Sequence, residues 1–206
     1  MRSGIILSGG KSSRLGKDKG LVELEGKPLV QWVIERLVAV TDEIIVVVGS
    51  NSQLSCYRRV VEDKARVISD YYPDKSPLIG LISGLREACG EYAAVCACDM
   101  PFIDPNILEL MFCVSDGLNG AQLIKHNGWV EPFPSIYYVT KCLQYAEDLR
   151  VSGEMRIRKV LETMDNTVKL PVEKLRKYDP ELASFNDFDT LESLEVARRM
   201  VKSTGT

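Results

Sequence analysis

Histidine is nearly absent: His126 is the only one among 206 residues. A single imidazole cannot build the histidine-rich ligand set of a zinc site, and no convincing nucleophile–base–acid triad can be assembled around it. We read it as an exposed strand residue. The six cysteines, at positions 56, 89, 96, 98, 113 and 142, form no Cys-x-x-Cys pair and keep no regular spacing, so they are expected to be reduced core residues. No stretch reaches the roughly 20 apolar residues of a membrane span, and the apolar run after Met1-Arg2-Ser3 is far too short for a signal peptide. A cytoplasmic protein with no membrane partner is therefore expected. Neither sign of charge dominates: 26 Lys and Arg against 29 Asp and Glu give a net charge of −3. With a pI near 5.4 the surface as a whole repels nucleic acid, so no nucleic-acid partner is expected. There is no internal repeat, no low-complexity tract and no linker. One α/β domain spanning residues 1–206 follows from that length.

Short β-branched or apolar runs alternate with helical patterns. Gly4–Ser8, Glu43–Val48, Arg66–Ser69 and Tyr92–Ala97 read as strands, and Pro28–Val40 and Pro77–Ala88 as helices, an order that builds βαβ units on a mostly parallel sheet. "EIIVVVG" and "YAAVCAC" are continuously apolar, as strands covered on both faces are. Pro28, Pro77 and Pro105 fit first helical positions, with Ser76 and Asp104 as caps, and Gly49 and Gly90 fall where elements stop. Beyond Phe112, strands are expected at Gln122–Lys125 and Pro134–Tyr138 around a turn at Asn127-Gly128. Helices follow near Thr140–Leu149 and Met155–Thr163, then a short strand at Val168–Leu170 and a last helix at Leu191–Val201.

"LSGGKSSRLGKDKG", Leu7 to Gly20, places glycines and cations directly behind the first strand. Such a loop points to phosphate, because bare backbone lets N–H groups approach oxyanions and the cations neutralise them. It is not a P-loop, since Gly16-Lys17 is followed by Asp18 rather than Ser or Thr, and it lacks the G-x-G-x-x-G spacing of dinucleotide folds. Arg14 offers a planar fork for phosphate oxygens and Lys19 a compact charge on a flexible stem; Lys11 and Lys17 read as solvated. Asp99 closes "YAAVCACDMPF" at the carboxyl end of a strand, where open parallel sheets bind ligands. A carboxylate there can hold Mg²⁺, which takes one or two protein oxygens and leaves the rest to phosphate and water.

The loop resembles the L-x-G-G-x-S-x-R-x-G-x-D-K signature of the MobA-like nucleotidyltransferases, above all the molybdenum cofactor guanylyltransferases. It matches at Leu7, Gly9, Gly10, Ser12 or Ser13, Arg14, Gly16, Asp18 and Lys19, with Ser8 where the family usually has alanine. "CDMPF" is similar to the family's C-D-x-P-F and "SPLIGLISGL" to its G-P-L-A-G-x-x-x-G-L. "FNDFDTLESL" is similar to its closing motif, with Leu191 in place of a proline.

The resemblance implies a Rossmann-like three-layer α/β/α nucleotidyltransferase fold. Residues up to about 105 would bind nucleotide and residues 106–206 would receive the acceptor. It further implies that Leu7, Ser8, Gly9 and Gly10 meet the base and phosphates, that Arg14 and Lys19 grip the triphosphate, and that Asn51 and Asp70 contact the nucleoside. Asp99 would hold magnesium, with Asp187 as a further metal or phosphate-water ligand. Asp189 carries less weight, because Asp189-x-x-Glu192 before an apolar helix is also a capping box.

Gly9-Gly10 favours GTP over CTP within the family. The implied reaction is transfer of GMP to molybdopterin or the molybdenum cofactor, with protein partners that deliver molybdopterin. The alternatives are a relative that uses CTP or another phosphate acceptor, corrinoid or sugar phosphate, and a GTP-binding regulator without turnover. "HNGWVEPFPSIY" and "GEMRIRKVLE" resemble acceptor-side segments of the family. In the second, Arg156, Arg158 and Lys159 could meet the acceptor phosphate or simply be solvated. Trp129 and Tyr137-Tyr138 read as core or subunit contact.

Overall fold

The computed structural model describes residues 1–9, 18–186, 188 and 190–204. In chain order the strands are β1 (Arg2–Leu7), β2 (Glu23–Leu24), β3 (Lys27–Pro28), β4 (Glu43–Val48), β5 (Arg66–Ser69), β6 (Tyr92–Ala97), β7 (Gly120–Ile124), β8 (Val130–Tyr138) and β9 (Thr167–Pro171). The helices are α1 (Leu29–Val38), α2 (Asn51–Val61), α3 (Pro77–Glu87), α4 (Pro105–Val114), α5 (Val139–Val151), α6 (Ile157–Thr163) and α7 (Leu191–Thr204).

Seven strands form one sheet in the order β5-β4-β1-β6-β8-β7-β9, and β2 pairs with β3 alone. Only β8 runs against the others in the large sheet, pairing antiparallel with both β6 and β7. The apolar strands alternate between two cores. Ile6, Val46 and Cys96 pack under α1, α2 and α4. Ile5, Ile45, Val47 and Val95 pack under α3, α5 and α6. The result is the α/β/α sandwich expected of a Rossmann-like nucleotidyltransferase fold, with both faces of the central strands covered. A third cluster joins Val22, Leu24 and Leu29 to Phe188, Leu194 and Ala197, so α7 packs back onto the β2–β3 ribbon.

Several expectations change. The sequence pattern gives no helix between β4 and β5, yet α2 fills it; the helix is rich in polar residues and buries only Tyr57 and Val61 fully, with Leu54 and Val60 half-buried beside them, so its narrow apolar stripe is easily read as loop. Pro28 closes β3 in an extended conformation instead of opening α1. Pro77 and Pro105 do open their helices, with Ser76 accepting from the Ile79 amide and Asp104 from the Asn106 amide. At α7 the described cap is Thr190, whose Oγ1 accepts from the Ser193 amide at 3.1 Å; Asp189 lies outside the described residues. Cys96, Cys98 and Cys142 are buried, with burial pushing the thiols of Cys96 and Cys98 up to about 12 and that of Cys142 well above its ordinary value, whereas Cys56, Cys89 and Cys113 are exposed and are not core. Trp129 is 47% exposed, with the Arg158 guanidinium 3.9 Å over its ring, and is not core either. His126 is exposed, but in the turn between β7 and β8 rather than in a strand.

Gly80 and Gly84, one helical turn apart on α3, divide their tasks. A Cβ on Gly84 would stand 2.6 Å from Ile5 Cγ2 and 3.2 Å from Val47 Cγ2, so this glycine lets α3 press onto the sheet. A Cβ on Gly80 would meet Leu7 Cδ2 at an ordinary 3.4 Å. Gly84→Val is therefore expected to cost about 1–3 kcal/mol by overpacking, each kcal/mol lowering Tm by roughly 2–4 °C, while Gly80→Ala leaves Tm unchanged or slightly raised. Thermal unfolding of the two variants checks this.

Candidate active site

The order in which strands are added reverses about β1, with β4 and β6 both parallel to it. The segment after β1 leads to β4 on one side, and the return through α3 places β6 on the other, with Leu7 opposite Ala97 in parallel register. A crevice opens at such a switch point, beyond the carboxyl ends of the strands. Here it is a cleft of about 490 Å³, a size suited to a small-molecule substrate.

Four segments line it. At the ends of β1 and β4, Gly9 and Gly49 lie backbone to backbone; a Cβ on Gly49 would sit 3.1 Å from the Gly9 carbonyl oxygen. That contact leaves Leu7 and Gly9 as a bare floor. A second wall holds Asp70, just past β5, with Lys75, Ser76, Pro77 and Gly80 around the first turn of α3. Burial raises the Asp70 carboxyl to about 6, against the opposing pull of the Lys75 charge. Lys75 itself donates to the Gly49 carbonyl, tying the two walls together.

The third wall is Ala97-Cys98-Asp99-Met100 at the end of β6. Asp99 is 6% exposed, and its Oδ2 accepts a hydrogen bond from Lys19 Nζ at 3.0 Å. Lys19 reaches it from a single 3-10 turn, Lys19–Leu21, capped by the Asp18 carboxylate. The fourth side comes from the far half of the chain: Glu131, Pro132 and Phe133 of β8, and Phe185. Between the pairs Ala121↔Ile136 and Leu123↔Glu131 one residue of β7 faces four of β8, and this bulge carries residues 131–133 over the cleft.

Of the residues expected at the site, the fold brings together Leu7, Gly9, Lys19, Asp70 and Asp99. Ser8 adjoins them, but its buried side chain turns behind the floor to bond Tyr57 Oη at 2.6 Å. Asn51 stands on the first turn of α2, exposed, accepting from Ser69 Oγ at 2.6 Å, and does not line the cleft. Gly10, Arg14 and Asp187 lie outside the described residues. Lys75 and Gly49 were not singled out for the site by sequence reasoning; Lys75's only signal is its place directly before Ser76-Pro77. Arg156 pairs with Glu154, and Arg158 and Lys159 with Glu162, so these cations form an ion-paired surface rather than a vacant anion site.

A backbone floor faces a lysine–aspartate pair at the switch point of this sheet, an arrangement suited to holding the phosphates of a nucleotide. Comparison with known proteins gives the class: the model of the MobA-like NTP transferase domain matches residues 4–168, and the chain belongs to that family. It is 34% identical to a probable molybdenum cofactor guanylyltransferase of Methanosarcina mazei, over 94% of this chain and 88% of that one. It is 32% identical to the molybdenum cofactor guanylyltransferase of Syntrophotalea carbinolica, over 98% and 93%. The crystal structure of molybdopterin-guanine dinucleotide biosynthesis protein A from Archaeoglobus fulgidus superposes with a TM-score of 0.81 at 29% identity, covering 98% of this chain and 99% of that one. Family membership points to divalent-metal-assisted nucleotidyl transfer. No described helix is long and apolar enough to cross a membrane.

Proposed function

We propose that the protein transfers GMP from GTP to the terminal phosphate of molybdopterin, with or without molybdenum, giving the guanine dinucleotide and pyrophosphate. The observation that carries this reading is the Lys19–Asp99 pair, 3.0 Å apart in the cleft of a chain whose relatives bear the name guanylyltransferase. An oxygen of the molybdopterin phosphate attacks the α-phosphorus of GTP, and the bond from that phosphorus to the β-bridging oxygen breaks, its electron pair leaving with pyrophosphate. The nucleophile is already an anion at neutral pH, so no general base is required. Among the described residues lining the cleft there is no histidine.

The chain's own work is positioning and charge neutralisation. Lys19, joined by Arg14, balances the charge that gathers on the α-phosphate and the departing pyrophosphate. The floor at Leu7 and Gly9 lets backbone approach the nucleotide closely, and Ser8 and Gly10 are assigned to the nucleotide with them. Asp70 accepts from the N1–H and N2–H₂ donors of guanine; Asn51, turned to Ser69 outside the cleft, is given no contact with the nucleoside.

Asp99 fits magnesium: it is a hard oxygen donor, nearly buried, and opens onto the space where phosphates would lie. Among the described residues no three His, Cys, Asp or Glu side chains group as a metal cage, which suits an ion that takes most of its ligands from phosphate and water. Asp187 is the second assigned ligand. Bound there, Mg²⁺ would polarise the phosphate oxygens and neutralise their charge. The acceptor is assigned to the side formed by Glu131, Phe133 and Phe185, and a protein that delivers molybdopterin is the corresponding partner.

Incubating the protein with GTP, CTP, ATP or UTP, with and without molybdopterin, tests the reading. Pyrophosphate is expected only with GTP and acceptor together, alongside a product of guanine dinucleotide mass. A CTP-dependent product, or free phosphate from GTP alone, overturns it. Tight GTP binding with no pyrophosphate in the presence of acceptor would mark a regulator instead.

A further inference from the structure

We propose that Tyr57 is a positioning residue: it fastens Ser8 and Asp18 to α2 and so holds Lys19 against Asp99. The proposal rests on the site assignment above and adds to it a residue that touches neither substrate nor metal.

Tyr57 is fully buried on α2, where Val61 is the other fully buried residue and Gln53, Leu54 and Val60 are half-buried. Its hydroxyl donates to Asp18 Oδ1 and accepts from Ser8 Oγ at 2.6 Å. One helical turn earlier Gln53 Nε2 donates to Asp18 Oδ2, so α2 grips both oxygens of that carboxylate. Asp18 in turn accepts from the Gly20 amide at 3.3 Å and caps the 3-10 turn on which Lys19 stands. The packing around Gly20 shows how closely the parts are fitted. A Cβ there would fall on both Ser8 Oγ and Tyr57 Oη, so the residue after Lys19 must lack a side chain for the fastening to close. Burial holds the Tyr57 phenol well above its ordinary pKa, which keeps it a proton donor throughout the neutral range.

A lysine on a flexible stem gains most from such a mount. Its ammonium must meet Asp99 at 3.0 Å from a turn eighty residues away in sequence, and any freedom in that turn is multiplied along the side chain. A tyrosine that merely filled the core would behave differently, because its ring and not its hydroxyl would matter.

Tyr57→Phe keeps the ring and removes the donor. It is expected to lower kcat/KM for GTP about tenfold, with Tm within a few degrees of wild type, and to have no further effect in a Lys19→Ala background. Gln53→Ala, on the partly exposed side of α2, removes the other grip on Asp18 without entering the core. It is expected to lose several-fold in the same way, also only when Lys19 is present, and it serves where Tyr57→Phe folds poorly. An equal loss in the Lys19→Ala background, or no loss in the otherwise wild-type chain, overturns the proposal. If Lys19→Ala itself leaves GTP binding and turnover intact, the site assignment falls and this inference with it. If Lys19→Ala is impaired but Tyr57→Phe and Gln53→Ala are not, the inference alone fails.

Discussion

Asp99→Asn is expected to reduce turnover of GTP with molybdopterin by about 10²–10³-fold, the loss usual for removing one preorganised electrostatic stabiliser. The substitution preserves shape and one oxygen acceptor, removes the charge and replaces the second oxygen by an amide donor. In the wild-type chain that charge is nearly buried against Lys19, in an environment where water does little to screen it. Two consequences separate a catalytic role from a structural one. The magnesium concentration required for half-maximal rate rises, because an amide oxygen is a poorer ligand for a hard cation than a carboxylate. Lys19→Ala costs a similar factor, and the double variant costs less than the product of the two, because each single change already dismantles the shared pair. Stability moves too: breaking one side of a mostly buried pair strands the other charge, so Tm is measured beside the rate. Wild-type turnover by Asp99→Asn under limiting magnesium would remove Asp99 from the reaction.

Where sequence and structure agree, burial explains it. β4 and β6 are readable because a strand covered on both faces has no room for polar residues, and "EIIVVV" and "YAAVCA" end where the cleft begins. Asp99 and the glycines at 9 and 49 are readable for the same reason, as punctuation after apolar runs. α2 is not, since its narrow apolar stripe is outweighed by polar residues and reads as a polar loop, and the Tyr57–Asp18 contact joins residues whose pairing only the fold creates. The β8 bulge is equally hidden. Pro132 and Pro134 interrupt the amide ladder, so the period-two pattern that marks a strand breaks at the residues that cover the cleft. The wall formed by Asp70 and Lys75 depends on how the chain turns between β5 and α3, which no local spacing specifies. Half of the cysteines escape the core because a free thiol is tolerated on solvated helices such as α2, where Cys56 lies.

Asp70→Asn is expected to weaken GTP binding by about 10–100-fold while raising thermal stability at neutral pH, and the two effects share one cause. A carboxylate accepting two guanine donors makes charge-assisted hydrogen bonds worth about 1.5–3 kcal/mol, and an amide can oppose those donors with only one oxygen. The same carboxylate is half-buried, and burial lifts it from 3.8 to about 6. The folded chain thus holds this proton more tightly than the unfolded one. Its contribution to stability is present in full below pH 3.8, declines as pH rises to about 6, and stays lost above that. Asparagine removes the penalty, so Tm at pH 7.5 rises relative to wild type and the advantage disappears below pH 4. Binding runs the opposite way: wild-type affinity for GTP falls as pH drops through about 6, because protonation turns the acceptor into a donor, whereas the variant's weaker affinity is flat across that window. Calorimetric GTP titrations and thermal melts at pH 5, 6 and 7.5 measure both. A variant that binds GTP as tightly as wild type with the same pH profile would show that Asp70 is a buried charge the cleft merely tolerates; opposed shifts in affinity and stability would show that the chain gives up stability there in exchange for a base-reading acceptor.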